Sequence, residues 1–271
     1  MSLLDKSVLK ALPSTAARLY ADTRLQGAGE MDDFGMEWRS LDPYPRLQLL
    51  SQGHLFGRFL LPQAFFDGKA VVDLGCGNGR LGRFMIPGAS EYVGVEISDA
   101  LLGFQVPPGG AGKVSLVRAS IEDLPVLTGA ADVVVCWGVL HHARDPWAAA
   151  REMQRILKPG GAILLYVYPD AFAPRENLNR LFRHLPASDF HAFCEWLLAT
   201  LRRWHELDPY LAPQICRALS VGLRHDTGWE LFQTFDGLGP AHHHLLEQLV
   251  PQMFPPPRRA RATHAGCFRI E

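Results

Sequence analysis

Short apolar runs recur through the middle of the chain. They are Val71–Leu74, Glu91–Ser98, Lys113–Ala119, Ala131–Val135 and Ala162–Val167. Between them the apolar residues fall at helical spacing. Leu81, Phe84 and Met85 follow the first run; Trp147, Ala150, Met153, Ile156 and Leu157 follow the fourth. The second of these helices starts at Asp145–Pro146, an N-cap acid ahead of a proline at the first helical position. Lys158–Pro159–Gly160–Gly161 stops it. Strands alternating with helices predict a parallel sheet covered on both faces. Beyond Val167 the pattern turns helical. Leu178, Leu181, Phe182 and Leu185 form one stripe; Phe190, Phe193, Trp196, Leu197, Leu201 and Trp204 form another. Leu245–Val250 reads as a helix, and Arg258–Thr263 with Cys267–Glu271 as a closing strand pair. Residues 1–67 read as helical pieces with a Pro- and aromatic-rich bend, Trp38–Pro45. At 271 residues, one elaborated α/β domain is expected. Its parts are 1–67, 68–168, 169–230 and 231–271, built on a doubly wound, mostly parallel, seven-stranded sheet.

Chemistry concentrates where these runs end. Val71–Val72–Asp73–Leu74–Gly75–Cys76–Gly77–Asn78–Gly79–Arg80 is a buried strand, an acid and three alternating glycines. Glycines turn the backbone tightly and let a ligand lie against bare main chain. The spacing is G-x-G-x-G, not the G-x-G-x-x-G of dinucleotide sites. Asp73 would repel a pyrophosphate and suits a ligand carrying an ammonium group. A glycine turn of this kind also occurs with no cofactor at all. The second run ends in Glu96, a carboxylate able to accept from the 2′- and 3′-hydroxyls of a ribose. Ser120–Ile121–Glu122–Asp123–Leu124–Pro125 follows the third run. Cys136–Trp137–Gly138–Val139–Leu140–His141–His142 continues the fourth.

Taken in order, VVDLGCGNGR, VGVEIS, SIEDLP and ADVVVCWGVLHHARDPWAAAREMQRILKPGG resemble the class I S-adenosylmethionine-dependent methyltransferases. The resemblance is to the small-molecule subgroup that includes the ubiquinone and menaquinone biosynthesis methyltransferases. It covers Gly68 to Tyr168, and Phe34–Trp38 and Thr234–Pro240 look like outlying motifs of related bacterial enzymes. It implies a Rossmann-like fold, S-adenosylmethionine as cofactor and S-adenosylhomocysteine as product. It places Asp73 and the Gly75–Cys76–Gly77 main chain at the methionine end of the cofactor. It makes Glu96 the ribose acid, packs Ile97 on the adenine, and aims the Ile121 N–H at the adenine ring. Ser120 departs from the pattern, since relatives carry Asp there; an uncharged hydroxyl accepts more weakly. Cys136 and Trp137 are expected to border the sulfonium. Residues 1–67 are expected as a helical lid and 169–230 as a cap over a substrate pocket.

Methylation of an O–H or acidic C–H also needs a base, and histidine suits neutral pH. His141 and His142 are the candidates, as base or as structural and cofactor-positioning residues. The family pattern turns His141 to the pocket and gives His142 the architectural role. Asp236 with His242, His243 and His244, and His225 and Asp226 nearby, form a second cluster. Consecutive histidines on a regular helix cannot all reach one ion, so no metal is assigned. Tyr44, Tyr166 and Tyr168 are candidate substrate contacts.

Net charge is −1, so no global field holds nucleic acid or an anionic membrane. Arg258, Arg259 and Arg261 form the one basic cluster. Cys76, Cys136, Cys194, Cys216 and Cys267 lack disulfide or metal spacing, which suits a reducing cytoplasm. No signal sequence or membrane-spanning run is read. The expected partner is a small-molecule acceptor, without nucleic acid or membrane, methylated at oxygen or carbon. A binding protein of the same fold without transfer, and methylation of a protein, are the alternatives. Nothing in the pattern sets an oligomeric state.

Overall fold

The computed structural model describes residues 3–14, 17–25, 52–167, 187–207, 243–264 and 266–271. Nine strands form one sheet: β1 (Leu9–Leu12), β2 (Arg18–Asp22), β3 (Ala70–Leu74), β4 (Glu91–Glu96), β5 (Val114–Arg118), β6 (Ala131–Trp137), β7 (Leu157–Tyr166), β8 (Ala260–His264) and β9 (Cys267–Ile270). Their order is β1-β2-β5-β4-β3-β6-β7-β9-β8. Strands β2, β5, β4, β3, β6 and β7 run parallel; β1, β9 and β8 pair antiparallel with their neighbours. The chain order reverses between β3 and β6, and open sheets of this type bind ligands beyond the carboxyl ends at such a point.

All five residues of β3 are buried, as expected of a parallel strand covered on both faces. Alternation divides them. Ala70, Val72 and Leu74 join a core with Val93, Val95, Val134 and Ile163. Helix α2 (Pro146–Ile156) and helix α4 (His243–Met253) contribute Met153, Ile156, Leu246 and Val250 to that core. Val71 faces the other way, with Tyr92, Val133, Val135 and Leu164. Leu55, Phe56, Phe59 and Phe66 cover this second face, together with Met85 of the short α1 (Gly82–Met85). Helix α2 starts as expected: Asp145 accepts from the N–H groups of Trp147 (2.9 Å) and Ala148 (3.0 Å), with Pro146 in the first turn.

Two expectations are corrected. Among the described residues the sheet has nine strands, not seven, because Leu9–Leu12 and Arg18–Asp22, within the segment read as helical, form a hairpin on its edge. Four- and five-residue pieces carry too little periodicity to reveal this; Arg18–Ala21 become a strand by pairing with Ser115–Arg118. Trp147 is 39% exposed, although the spacing placed it on the buried face of α2. A residue every third position lags by about 60° per step, so the first member leaves the stripe. The helix after β3 is only four residues long.

The chain divides into two compact units, Met1–Pro169 with Leu245–Glu271, and Asp170–His244. The first carries the sheet. The second contains α3 (Ala187–Leu207), the helix expected from the Phe190–Trp204 stripe, with Trp196 and Trp204 exposed. Among the described residues no helix is long and apolar enough to cross a membrane.

Candidate functional site

The turn after β3 is built from glycines because no other residue fits. Gly75, Gly77 and Gly79 have φ of 69°, 53° and 90°. A Cβ on Gly75 would also stand 2.2 Å from Cγ2 of Val139, just beyond β6. The turn is held from β4. The N–H groups of Gly75 and Cys76 donate to the Val95 carbonyl (2.8 and 3.1 Å), and that of Gly77 donates to Glu96 Oε2 (3.1 Å). Glu96 is buried and has two further donors on Oε1, the Ser98 N–H and hydroxyl, both at 2.9 Å. A carboxylate offers about four acceptor positions. One therefore remains for a ribose hydroxyl, and a second hydroxyl requires the Ser98 hydroxyl to turn aside. Ser98 Oγ also accepts from the Ala100 N–H (3.3 Å), capping the turn Asp99–Gly103.

Asp73 lies on the second face, 2% exposed, and accepts from the Tyr92 hydroxyl at 2.7 Å. Burial pushes its carboxyl up to about 7; the Tyr92 hydrogen bond opposes this, the Glu96 charge adds to it, and Arg80 opposes it. Two carboxylates thus flank one glycine turn.

Cys76 is buried, and its Sγ fills the space a Cβ on Gly94 would take, 2.8 Å away. It meets β4 through its side chain. Cys136 and Trp137 point to opposite faces of β6. Cys136 is fully buried in the core on the α2 side, and burial pushes its thiol up to about 12. Both were expected to border one ligand group, and strand alternation sends their side chains to different sides of the sheet. Trp137 is half-buried on the Asp73 side. It stacks on Tyr166 (centroids 4.4 Å apart) and meets Phe59 edge-on (5.6 Å).

Ile97 is half-buried at the end of β4. Its carbonyl accepts from Arg118 Nε (3.2 Å), and Arg118 pairs with Asp99 at 2.7 Å. Ser120 Oγ accepts from the Glu122 N–H (3.2 Å), and Ile121 is buried beside it. Glu122 then accepts from the N–H groups of Arg144 (2.6 Å) and Asp145 (3.3 Å), fixing this loop to the start of α2. Arg24 pairs with Asp22 (2.7 Å) and Asp123 (2.8 Å), tying the end of β2 to the same loop.

His141 and His142 do not continue an extended strand, as the sequence reading had it. They lie in a tight helical turn, Leu140–His142, with ring centroids 4.3 Å apart. His141 is 2% exposed and His142 half-buried. Tyr44, Tyr168, Asp236, His242, His225, Asp226, Cys216, Phe34–Trp38 and Thr234–Pro240 lie outside the described residues. For His243 and His244 the backbone alone is described, in α4.

Tyr92, Ser98 and Arg118 are site neighbours that sequence reasoning missed. The signal for Tyr92 was its place two residues before Gly94 on a strand beside Asp73, so that both side chains fall on one face.

Residues 72–165 match a family profile described as a methyltransferase domain. A ubiquinone biosynthesis O-methyltransferase of Pseudomonas aeruginosa (strain LESB58) is 34% identical over 109 residues, covering 38% of this chain and 46% of that protein. An uncharacterized methyltransferase of Mycobacterium sp. (strain KMS) is 37% identical over 171 residues, covering 51% of this chain and 66% of that protein. The chain thus spans about half to two thirds of the length of the curated relatives it matches. The matched stretch runs from β3 to the end of β7 and contains the glycine turn and both carboxylates, so residues 72–165 form a methyltransferase domain.

Proposed function

We propose that this protein transfers a methyl group from S-adenosylmethionine to oxygen or an activated carbon of a small-molecule acceptor. The observation that carries the reading is the pair of buried carboxylates, Asp73 and Glu96, flanking one glycine turn at the carboxyl ends of β3 and β4. A ligand with an ammonium at one end and ribose hydroxyls at the other matches this pair. A dinucleotide pyrophosphate at the turn would meet Asp73. The residues fit the cofactor: among the described residues Asp73 has a single hydrogen-bond donor, Glu96 keeps an acceptor position, and the glycines leave main chain bare. When bound, the cofactor supplies a sulfonium methyl for in-line displacement.

This chain's own residues then bind, orient and deprotonate. Much of the rate in such a transfer comes from alignment at near-attack distance. Trp137, at the end of β6, forms with Tyr166 an aromatic wall suited to orienting an acceptor. Of the two histidines, His142 has the exposure to exchange a proton with an acceptor and solvent, so we assign it the base. His141, buried behind it, is assigned the structural role; this reverses the order read from the family pattern. The near-neutral net charge supports a small acceptor over nucleic acid.

Calorimetric titration with S-adenosylhomocysteine, with NAD as control, tests the cofactor. Micromolar binding of the first and none of the second is expected. A screen of phenols, enols and carboxylates then reads S-adenosylhomocysteine release. His142→Ala is expected to lose turnover at unchanged cofactor affinity. Turnover with protein substrates alone would overturn the small-molecule assignment.

A further inference from the structure

The Tyr92 hydroxyl is the sole polar side chain with a described hydrogen bond to Asp73, and it lies wholly inside the molecule. We propose that Tyr92 is a positioning residue of the cofactor site, fixing the Asp73 carboxyl so that the ammonium of the cofactor binds there with release of one proton to solvent. The inference rests on the cofactor reading above and concerns how this chain tunes it.

The geometry is closed around the pair. Tyr92 is fully buried, and a Cβ on Gly82 would stand 2.8 Å from its hydroxyl oxygen, so α1 approaches the hydroxyl closely. Phe104 packs on the Tyr92 ring, with centroids 5.9 Å apart. The phenol therefore has little room to turn away from Asp73 Oδ2, and a proton on the free carboxyl sits on Oδ1. The charged and titratable groups around Asp73 are Tyr92 and Glu96 from β4, Cys76 and Arg80 from the turn, and Cys136 from β6. Burial keeps both thiols and the phenol protonated. Glu96 disfavours a second negative charge, and Arg80 and the Tyr92 hydrogen bond favour it. With its carboxyl at about 7, Asp73 is largely neutral below neutral pH. An arriving ammonium stabilises the carboxylate, the Oδ1 proton leaves to solvent, and the Tyr92 O–H stays as donor.

The test compares S-adenosylhomocysteine with 5′-methylthioadenosine, which shares the nucleoside and thioether but has no amino-acid end. Both are titrated calorimetrically from pH 5.5 to 7.5 in buffers of different ionisation enthalpy. For the wild type, affinity for S-adenosylhomocysteine is expected to rise with pH, approaching about tenfold per unit at the acid end. Buffer dependence of the enthalpy reports the released proton. Methylthioadenosine affinity stays flat. Tyr92→Phe moves the rise to higher pH and leaves methylthioadenosine unaffected; Asp73→Asn abolishes the rise. A merely structural tyrosine would weaken both ligands alike at every pH, and that result overturns the proposal. So does a flat wild-type profile for S-adenosylhomocysteine while methylthioadenosine binds, which leaves the cofactor reading standing. Failure of both ligands to bind sinks both.

Discussion

The two faces of β3 are built on opposite terms. On one, Ala70, Val72 and Leu74 join an apolar core with residues of β4, β6, α2 and α4. On the other, Val71 is followed by Asp73, and the apolar packing is interrupted by a carboxyl and a phenol. The same strand, with all five residues buried, carries a stabilising face and a face that sacrifices stability to hold a charge. The interruption falls at the carboxyl end, where the topology opens a ligand site. Towards the amino end both faces are apolar.

The largest effect should come from the apolar face. Phe254, 1% exposed in the core that includes α4, has no polar function to lose. Phe254→Ala is expected to cost about 3–5 kcal/mol of stability by denaturant unfolding. Its folded fraction should bind S-adenosylhomocysteine normally.

The polar face should respond to pH with the opposite sign to an ordinary carboxylate. The Asp73 pKa is raised by burial from its ordinary 3.8 to about 7. Between these values the folded protein holds a proton that the unfolded chain releases. Stability contributed by this group is therefore complete below pH 4, falls as pH rises towards 7, and is lost above it. Asp73→Asn removes that loss. It should stabilise the protein by about 2–4 kcal/mol at pH 8 and do little at pH 4. Thermal unfolding of both proteins across this range measures the difference; a variant less stable at pH 8 would show that Asp73 is ionised at no cost.

Glu96 is a third kind of position, polar and well partnered. Glu96→Ala removes the ribose acceptor and also strands the buried Gly77 N–H. It should weaken S-adenosylhomocysteine binding by about 2–3 kcal/mol and cost about 1–3 kcal/mol of stability. Glu96→Gln keeps an acceptor and should recover part of both, as read by calorimetry and unfolding on the same samples.

The apolar face was legible in the sequence because burial on both sides makes parallel strands read as unbroken apolar runs. That pattern gave β3 to β7. The hairpin β1–β2 was not legible: LKAL and RLYAD have no clear period, RLYAD becomes a strand against β5, about a hundred residues away, and LKAL pairs with it in turn. At the site, Asp73, Glu96 and the glycines announced themselves by type and spacing. Tyr92 did not, because an aromatic in a buried strand reads as core, and only its partner distinguishes it. Cys136 and Trp137 could have been separated beforehand by the two-residue alternation of a strand. The histidine pair could not, since the turn that holds them breaks that alternation.

The smallest expected effect isolates local structure from both faces. Asp145 is exposed, lies in neither core, and caps α2 through two N–H groups at 2.9 and 3.0 Å. Its own N–H also reaches Glu122, in the loop that follows Ser120 and Ile121. Asp145→Ala keeps that backbone contact and removes the side-chain cap alone. The helix N-terminus then turns to water for two of its donors, at a cost of about 1 kcal/mol. Asp145→Asn, which can still accept from the same N–H groups, should recover most of it. Arg151 stands 3.5 Å from Asp145, but both groups are exposed and their ion pair adds little. If Asp145→Ala also weakens cofactor binding, the cap and the Ser120 loop act as one unit through Glu122. Unchanged affinity would confine the cap to folding, and the polar face would owe its ligand to β3 and β4 alone.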